Sequence, residues 1–169
     1  TDGVRPFVIC PSHPNLRIAT RDRDHLVRNR TAVSNRIHSY VDRLFPGFLN
    51  VQKSGLCPFC KASLDLMVDR FSPEQLSRRP RKALADWLGR HGVEQPDEVA
   101  AQLKQLAKGV LGPAPEQTIM LQRSLAKLIQ LYRGLDESIT LLDRELAYWL
   151  ARTPGALLTS IGGFGITLA

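Results

Sequence analysis

The chain has 169 residues, a length typical of one domain. Hydrophobic residues make up 43% and charged residues 23% of it, a composition that excludes a disordered chain. The 23 Lys and Arg residues outnumber the 16 Asp and Glu residues and give a net charge of +7, which favours a polyanionic partner. No apolar run approaches the roughly 20 residues that span a bilayer, and no secretory signal is visible, so we expect a cytoplasmic protein without a membrane partner.

The basic surplus is confined to the first two-thirds of the chain. Residues 1–50 carry eight Arg and four Asp, and residues 51–112 carry ten basic and seven acidic side chains. Residues 113–169 carry five of each sign and have no net charge. Any contact with a polyanion is therefore expected within residues 1–112.

The first predicted element, after an extended lead-in over residues 1–13, is a long helix over residues 14–47. Pro14 suits the first position of a helix. The sequence then continues to the Pro46-Gly47 pair without another Gly or Pro, and that pair ends the helix. Apolar residues at spacings of three, four and seven mark its buried face, namely Leu26, Val33, Ile37, Tyr40 and Leu44.

Residues 48–112 predict a small cluster of short helices. The run Ser72-Pro73-Glu74-Gln75 is a capping box with proline in the first turn, and Pro96-Asp97-Glu98 starts another helix. Gly92 ends the helix between them. The inner faces of these last two helices are Leu84, Trp87, Leu88 and His91, and Val99, Leu103 and Leu106.

The strongest periodic signal lies within a second long helix over residues 113–153. Nine apolar residues alternate spacings of four and three, the pattern of a coiled-coil seam. They are Leu121, Leu125, Leu128, Tyr132, Leu135, Ile139, Leu142, Leu146 and Trp149. The predicted fold is all-α, with two long antiparallel coiled-coil-forming helices and a small cluster of short helices between them. Because the first helix lacks an unbroken seam, we expect self-association into a homodimer or a larger homo-oligomer.

Ten basic side chains are candidate contacts to a nucleic-acid backbone. Arg and Lys neutralise phosphates, and the lack of a base-reading motif favours contact with backbone or shape over sequence readout. The ten are Arg17, Arg21, Arg23, Arg28, Arg30, Arg36, Arg78, Arg79, Arg81 and Lys82. The alternative is a solvated face, on which arginines pair with interspersed carboxylates such as Asp22, Asp24 and Asp42.

The three cysteines, Cys10, Cys57 and Cys60, are too few for a disulfide scaffold and indicate a reducing compartment. Cys57-Pro58-Phe59-Cys60 has the spacing of a zinc or redox motif. The sequence offers neither a second ligand pair near it nor the strand context of a redox fold. We therefore expect ordinary structural cysteines and no metal site.

No catalytic residue is expected in this chain. Asp65 and Asp69, four residues apart, could share a metal but are more typical of a solvated helix face. No Gly-x-Ser-x-Gly motif occurs. Residues 157–166 have the hydrophobic-Gly-x-Gly-hydrophobic shape of a helix-hairpin-helix turn, whose backbone amides can donate to phosphate.

Three segments resemble a known pattern when they are taken together. Residues 21–35, followed by Leu44-Phe45-Pro46-Gly47, resemble "R…L…R….N…L..FPG", and residues 71–92 resemble "..YPTP….L…LARHG". Residues 158–169 resemble "L.SIPGIG..TA", with Gly162 in place of the proline. In this order and over nearly the whole chain, the set resembles a family of bacterial insertion-sequence transposases.

The resemblance implies a piece of a longer enzyme. Members of the family join an N-terminal RuvC-like nuclease domain, with an Asp-Glu-Asp-Asp tetrad, to a C-terminal domain with a catalytic serine, and some are guided by a bridge RNA. Residues 1–13 would lead out of the nuclease domain, and residues 154–169 would open the serine-bearing domain. The catalytic residues and the magnesium of the nuclease domain would lie outside this chain, which would itself need no cofactor.

The sequence and the resemblance together predict a non-catalytic coiled-coil fragment of a DNA transposase in the bacterial cytoplasm. Such a fragment would mediate dimerisation and set the spacing of the catalytic domains in DNA recombination. Its partners would be DNA, a second copy and, in RNA-guided members, a structured guide RNA. The alternative is a helical protein-interaction or adaptor module whose basic charge is incidental.

Overall fold

The structure is a computed structural model that describes residues 14–54, 56–69 and 71–153. All regular structure within these ranges is helical, which confirms the all-α prediction for them. The elements are α1 (Pro14–Leu44), a 3-10 helix (Phe48–Ser54), α2 (Lys61–Asp69), α3 (Pro73–Arg78), α4 (Arg81–Arg90), α5 (Pro96–Gly109) and α6 (Pro115–Leu150). None of these helices combines the length and apolarity that a membrane span needs. The predicted lead-in over residues 1–13 and the predicted glycine-rich turn over residues 157–166 lie outside the described residues.

The described residues divide into two compact units. The terminal unit contains residues 14–30 and 134–153, and the central unit contains residues 31–133. Helices α1 and α6 contribute to both units, whereas the 3-10 helix and α2 to α5 belong to the central unit.

Helix α1 begins at Pro14 and ends at Leu44, three residues before the end of its predicted segment. Gly47 has a φ of +81°, a left-handed conformation that favours glycine, and the chain turns there. A Cβ atom on Gly47 would also lie 3.3 Å from Cδ1 of Leu106 in α5. Glycine at this position therefore permits both the turn and the close approach of α5.

Three phenylalanines form part of the core of the central unit. Phe45, Phe48 and Phe71 are buried, and the ring centroid of Phe71 lies 5.6 Å from that of Phe45 and 4.7 Å from that of Phe48. Phe45 follows α1, Phe48 opens the 3-10 helix and Phe71 precedes α3. We call these three residues the phenylalanine cluster; it holds three separate segments together.

Helix α3 is fixed at both ends. At its N-terminus the Oγ of Ser72 accepts a hydrogen bond from the Gln75 N–H at 3.2 Å, which confirms the predicted cap. At its other end the ammonium of Lys104 in α5 donates to the Ser77 carbonyl oxygen at 2.9 Å. These contacts hold a helix of only six residues in place.

Helix α4 ends where Gly92 predicts. The Gly92 N–H donates to the Gly89 carbonyl and the Val93 N–H to the Leu88 carbonyl, at 3.1 and 3.2 Å, in the pattern of a Schellman motif. Gly92 has a φ of +81°, as this motif requires. The predicted inner faces are buried at Leu84, Trp87 and Leu88 in α4 and at Val99 and Leu103 in α5, while His91 and Leu106 are half-buried.

The predicted seam of α6 is largely covered by the chain itself. Leu125, Ile139 and Leu146 are buried, Leu121, Leu128, Tyr132, Leu135 and Leu142 are half-buried, and Trp149 is exposed. Ile129 is also fully buried, although it is not one of the predicted seam residues. A covered face of this width is typical of an amphipathic helix packed on its own chain. Coiled-coil packing therefore stays a prediction.

Two ion pairs join α1 to α6 in the terminal unit. Arg23 pairs with Asp143, and Nη1 of Arg30 lies 2.6 Å from Oδ1 of Asp136. Because Arg23 precedes Arg30 whereas Asp143 follows Asp136, the two helices run antiparallel in this unit.

Candidate nucleic-acid interface

The structure separates the ten predicted basic residues into paired and unpaired side chains. The paired ones are Arg23 with Asp143, Arg30 with Asp136, Arg78 with Glu74 and Arg79 with Asp69. Within the described part of the chain, the other six have no carboxylate at ion-pair distance, namely Arg17, Arg21, Arg28, Arg36, Arg81 and Lys82. These six side chains remain candidates for contact with a polyanion.

Arg23 and Arg30 connect helices and do not point freely into solvent. The hydrogen bond to Asp143 raises the pKa of the Arg23 guanidinium above its usual value, so this group stays charged. Both pairs are partly exposed, and such pairs contribute about 0–1 kcal/mol to stability. For these two arginines the ion-pair alternative applies, although their partners lie on α6 and not in the neighbouring turns of α1.

An unpaired basic surface lies on α1 in the terminal unit. Arg17, Arg21 and Arg28 are spaced by four and seven residues, which places them on one helix face, and all three are exposed. We call them the α1 basic stripe. Arg21 and Arg28 border a shallow depression of about 290 Å³ that Asp24 and His25 also line. The stripe thus presents three guanidinium groups beside one carboxylate.

The basic residues of the central unit are more dispersed. Arg36 is exposed on α1, and Arg81 and Lys82 are exposed in the first turn of α4. A guanidinium nitrogen of Arg81 donates to the Asp97 carbonyl at 3.3 Å. Arg79 lies over a Trp87 ring, 5.9 Å from the centroid. No single helix face of this unit combines as many unpaired predicted arginines as the α1 basic stripe does, within the described residues.

Asp65 and Asp69 face different partners. The carboxylate of Asp65 accepts a hydrogen bond from Arg133 at 2.5 Å, and its other oxygen faces Nε2 of His91 at 3.8 Å. Asp69 faces Arg79 at 3.6 Å. No group of three His, Cys, Asp or Glu side chains able to hold a metal occurs among the residues that the structure describes. Sequence reasoning missed the Asp65 interactions because its partners lie far away along the chain.

Cys57 and Cys60 lie in a turn that leads into α2. The Cys60 N–H donates to the Cys57 carbonyl at 3.2 Å, and both thiols are free. Phe59, between them, stacks on Tyr132 of α6 with ring centroids 5.0 Å apart. This contact anchors the turn on α6 and supports a structural role for the motif; Cys10 lies outside the described residues.

The chain is similar to part of a bacterial insertion-element protein. Over 142 aligned residues it is 28% identical to the insertion element IS116 uncharacterized 44.8 kDa protein of Streptomyces clavuligerus. The match covers 78% of this chain and 32% of that relative, so the chain spans about a third of the relative's length. No family model matches the chain, and no solved structure matches it. The likeness agrees with the insertion-sequence part of the sequence interpretation.

Proposed function

We propose that this chain is a non-catalytic helical part of a DNA transposition protein and that its α1 basic stripe binds a nucleic-acid backbone. The observation that carries the proposal is the stripe itself: three exposed arginines on one helix face, without ion-pair partners among the described residues. The similarity to an insertion-element protein supports DNA transposition as the setting. DNA and, in an RNA-guided system, a structured guide RNA both supply the phosphates that such a stripe would bind.

The stripe suits contact with phosphates better than readout of sequence. Its guanidinium groups repeat along a helix, where each can neutralise one phosphate and release a counterion. Each such contact adds about 0.9 to the slope of log K against log salt on duplex DNA and about 0.7 on single strands. Binding that is steeply salt-dependent and tolerant of sequence is therefore expected.

Neutralising the stripe should weaken nucleic-acid binding and flatten its salt dependence. We expect the triple variant Arg17→Gln, Arg21→Gln, Arg28→Gln to lower the salt slope by about 2–3 on duplex DNA. The matched control removes three exposed arginines elsewhere: Arg90→Gln, Arg123→Gln, Arg144→Gln. Fluorescence anisotropy of labelled DNA and RNA, across a series of salt concentrations, measures both variants.

If the two triple variants lost nucleic-acid affinity equally, net charge and not the α1 basic stripe would determine binding. If the wild-type chain binds neither DNA nor RNA at low salt, the proposal fails and the adaptor alternative is favoured. An adaptor would also keep its protein partner when the stripe is neutralised.

We also propose that the chain self-associates and so sets the spacing of the catalytic domains. Support comes from apolar side chains that α6 leaves exposed: Ile119, Met120, Leu131 and Leu141. We expect sedimentation equilibrium at tens of micromolar to show a dimer or larger species, and Leu131→Gln to shift it towards monomer. Gln130→Ala, at the adjacent exposed position, is the control. A wild-type monomer at these concentrations contradicts this part of the proposal.

A further inference from the structure

Cys57 and Cys60 are the first and last residues of one tight turn in the central unit. The Cys60 N–H donates to the Cys57 carbonyl at 3.2 Å, which is the hydrogen bond that closes a β-turn. Such a turn brings the Cα atoms of its first and last residues to within about 7 Å of each other. Because a disulfide joins Cα atoms that are about 4.4–6.8 Å apart, the backbone already holds the two cysteines near bridging distance.

Ser63, in the first turn of α2, binds both cysteines. Ser63 is fully buried, and its hydroxyl donates to the Cys57 carbonyl at 2.5 Å. Its N–H donates to the Cys60 Sγ at 3.5 Å. The Cys57 side chain is exposed, whereas that of Cys60 is half-buried. One thiol is therefore open to a reagent in solution, and the other is held in place by α2.

Phe59 connects the turn to both long helices of the central unit. Its ring stacks on Tyr132 of α6 and also contacts the ring of His38 in α1, with centroids 5.0 and 5.1 Å apart. A covalent bond between the two cysteines would restrict the backbone on either side of Phe59. It would therefore hold this ring more firmly against α1 and α6.

We propose that Cys57 and Cys60 form a reversible intramolecular disulfide by exchange with a small-molecule disulfide. The exposed Cys57 thiolate attacks one sulfur of the reagent, a mixed disulfide forms and one small-molecule thiolate leaves. The Cys60 thiolate then attacks the Cys57 sulfur, and the second small-molecule thiolate leaves. The chain loses two protons and two electrons, and the reagent is reduced to two thiols. In a reducing compartment such a bond is transient and responds to redox conditions.

Peptide mapping identifies this bond directly. Trypsin cleaves after Lys53 and Lys61, so Cys57 and Cys60 fall within one peptide, residues 54–61, and Cys10 falls within another. The chain is incubated with oxidised glutathione, and the remaining thiols are then alkylated. We expect peptide 54–61 to carry no alkyl group and to be two hydrogen atoms lighter than its reduced form. Treatment with dithiothreitol before alkylation should return the same peptide with both thiols alkylated.

Cysteine variants test the assignment of the bond. Cys57→Ser and Cys60→Ser are each expected to abolish the intramolecular disulfide, whereas Cys10→Ser is the matched control and should leave it unchanged. Oxidation should raise the urea midpoint of the wild-type chain, because the turn already has the required geometry and the bond restricts the unfolded chain. The same treatment should leave the midpoint of Cys57→Ser unchanged.

Four results would overturn the proposal. Peptide 54–61 could remain fully alkylated after oxidation, or it could be joined to the peptide that contains Cys10. A glutathione adduct could persist on Cys57, which would show that Cys60 does not reach it. Finally, oxidation could lower the urea midpoint of the wild-type chain, which would show that the turn must be distorted to accept the bond. None of these results depends on nucleic-acid binding, so the proposed function is tested separately.

Discussion

Replacing Phe71 by alanine is expected to lower the free energy of unfolding by about 3–5 kcal/mol. Phe71 is 1% exposed and contacts both other members of the phenylalanine cluster. Alanine would leave a cavity and remove two ring pairs, each contributing roughly 0.5–1.5 kcal/mol beyond burial. Since small domains are stable by about 5–15 kcal/mol, this loss is a large fraction of the total.

Urea unfolding followed by circular dichroism measures the effect of Phe71→Ala. The control is Leu111→Ala, because Leu111 is 95% exposed and its truncation should change stability by no more than about 0.5 kcal/mol. If Phe71→Ala cost less than about 1 kcal/mol, the cluster would not be the connection between α1, the 3-10 helix and α3 that the structure indicates.

The phenylalanine cluster also explains part of the resemblance to insertion-sequence transposases. Phe45 and Gly47 lie in one of the segments that carry the resemblance, and Phe71 and Ser72 lie in another. In the structure Phe45 packs on Phe71, Gly47 makes the turn after α1, and Ser72 caps α3. These residues of the two segments have folding roles. A resemblance built on them is therefore informative about fold and gives no information about catalysis.

The sequence predicted those features that depend on local chemistry. Three such features are the start of α1 at Pro14, the Ser72 cap and the turn at Gly92. Each depends only on residues a few positions away, so the local sequence is sufficient to locate it. The same kind of local signal predicts each helix separately, and together the helices give the all-helical class of the described ranges.

The candidate interface was predicted less completely from the sequence. Whether an arginine is free or paired depends on carboxylates that lie far away along the chain. Ten basic residues could be named from charge alone, but Arg23 is paired with a carboxylate 120 residues away. The same holds for Asp65, whose arginine partner lies 68 residues away. Sequence spacing cannot distinguish a free arginine from one that is paired across the fold. The α1 basic stripe becomes visible only when the paired residues have been removed from the set.

The second large effect is expected at Ile129, where alanine should lower the free energy of unfolding by about 2–5 kcal/mol. Ile129 is fully buried, although it falls outside the predicted seam of α6. A two-stranded seam uses two positions in seven, whereas a helix packed on several segments buries a wider face. In the central unit Tyr132 of α6 contacts the turn before α2. A helix with such additional neighbours buries a wider face than a two-stranded seam does.

Chemical unfolding of Ile129→Ala at two protein concentrations separates burial within the chain from burial by a second copy. Leu131→Ala is the matched control, since Leu131 lies two residues further on and is 52% exposed. If the chain itself covers Ile129, the loss in Ile129→Ala is the same at both concentrations, because no association step contributes to it. The Leu131→Ala change should cost little at low concentration and more at high concentration, where the proposed dimer forms. A loss at Ile129 that varied with concentration as the dimer forms would mean that a second copy, and not the chain itself, covers this side chain.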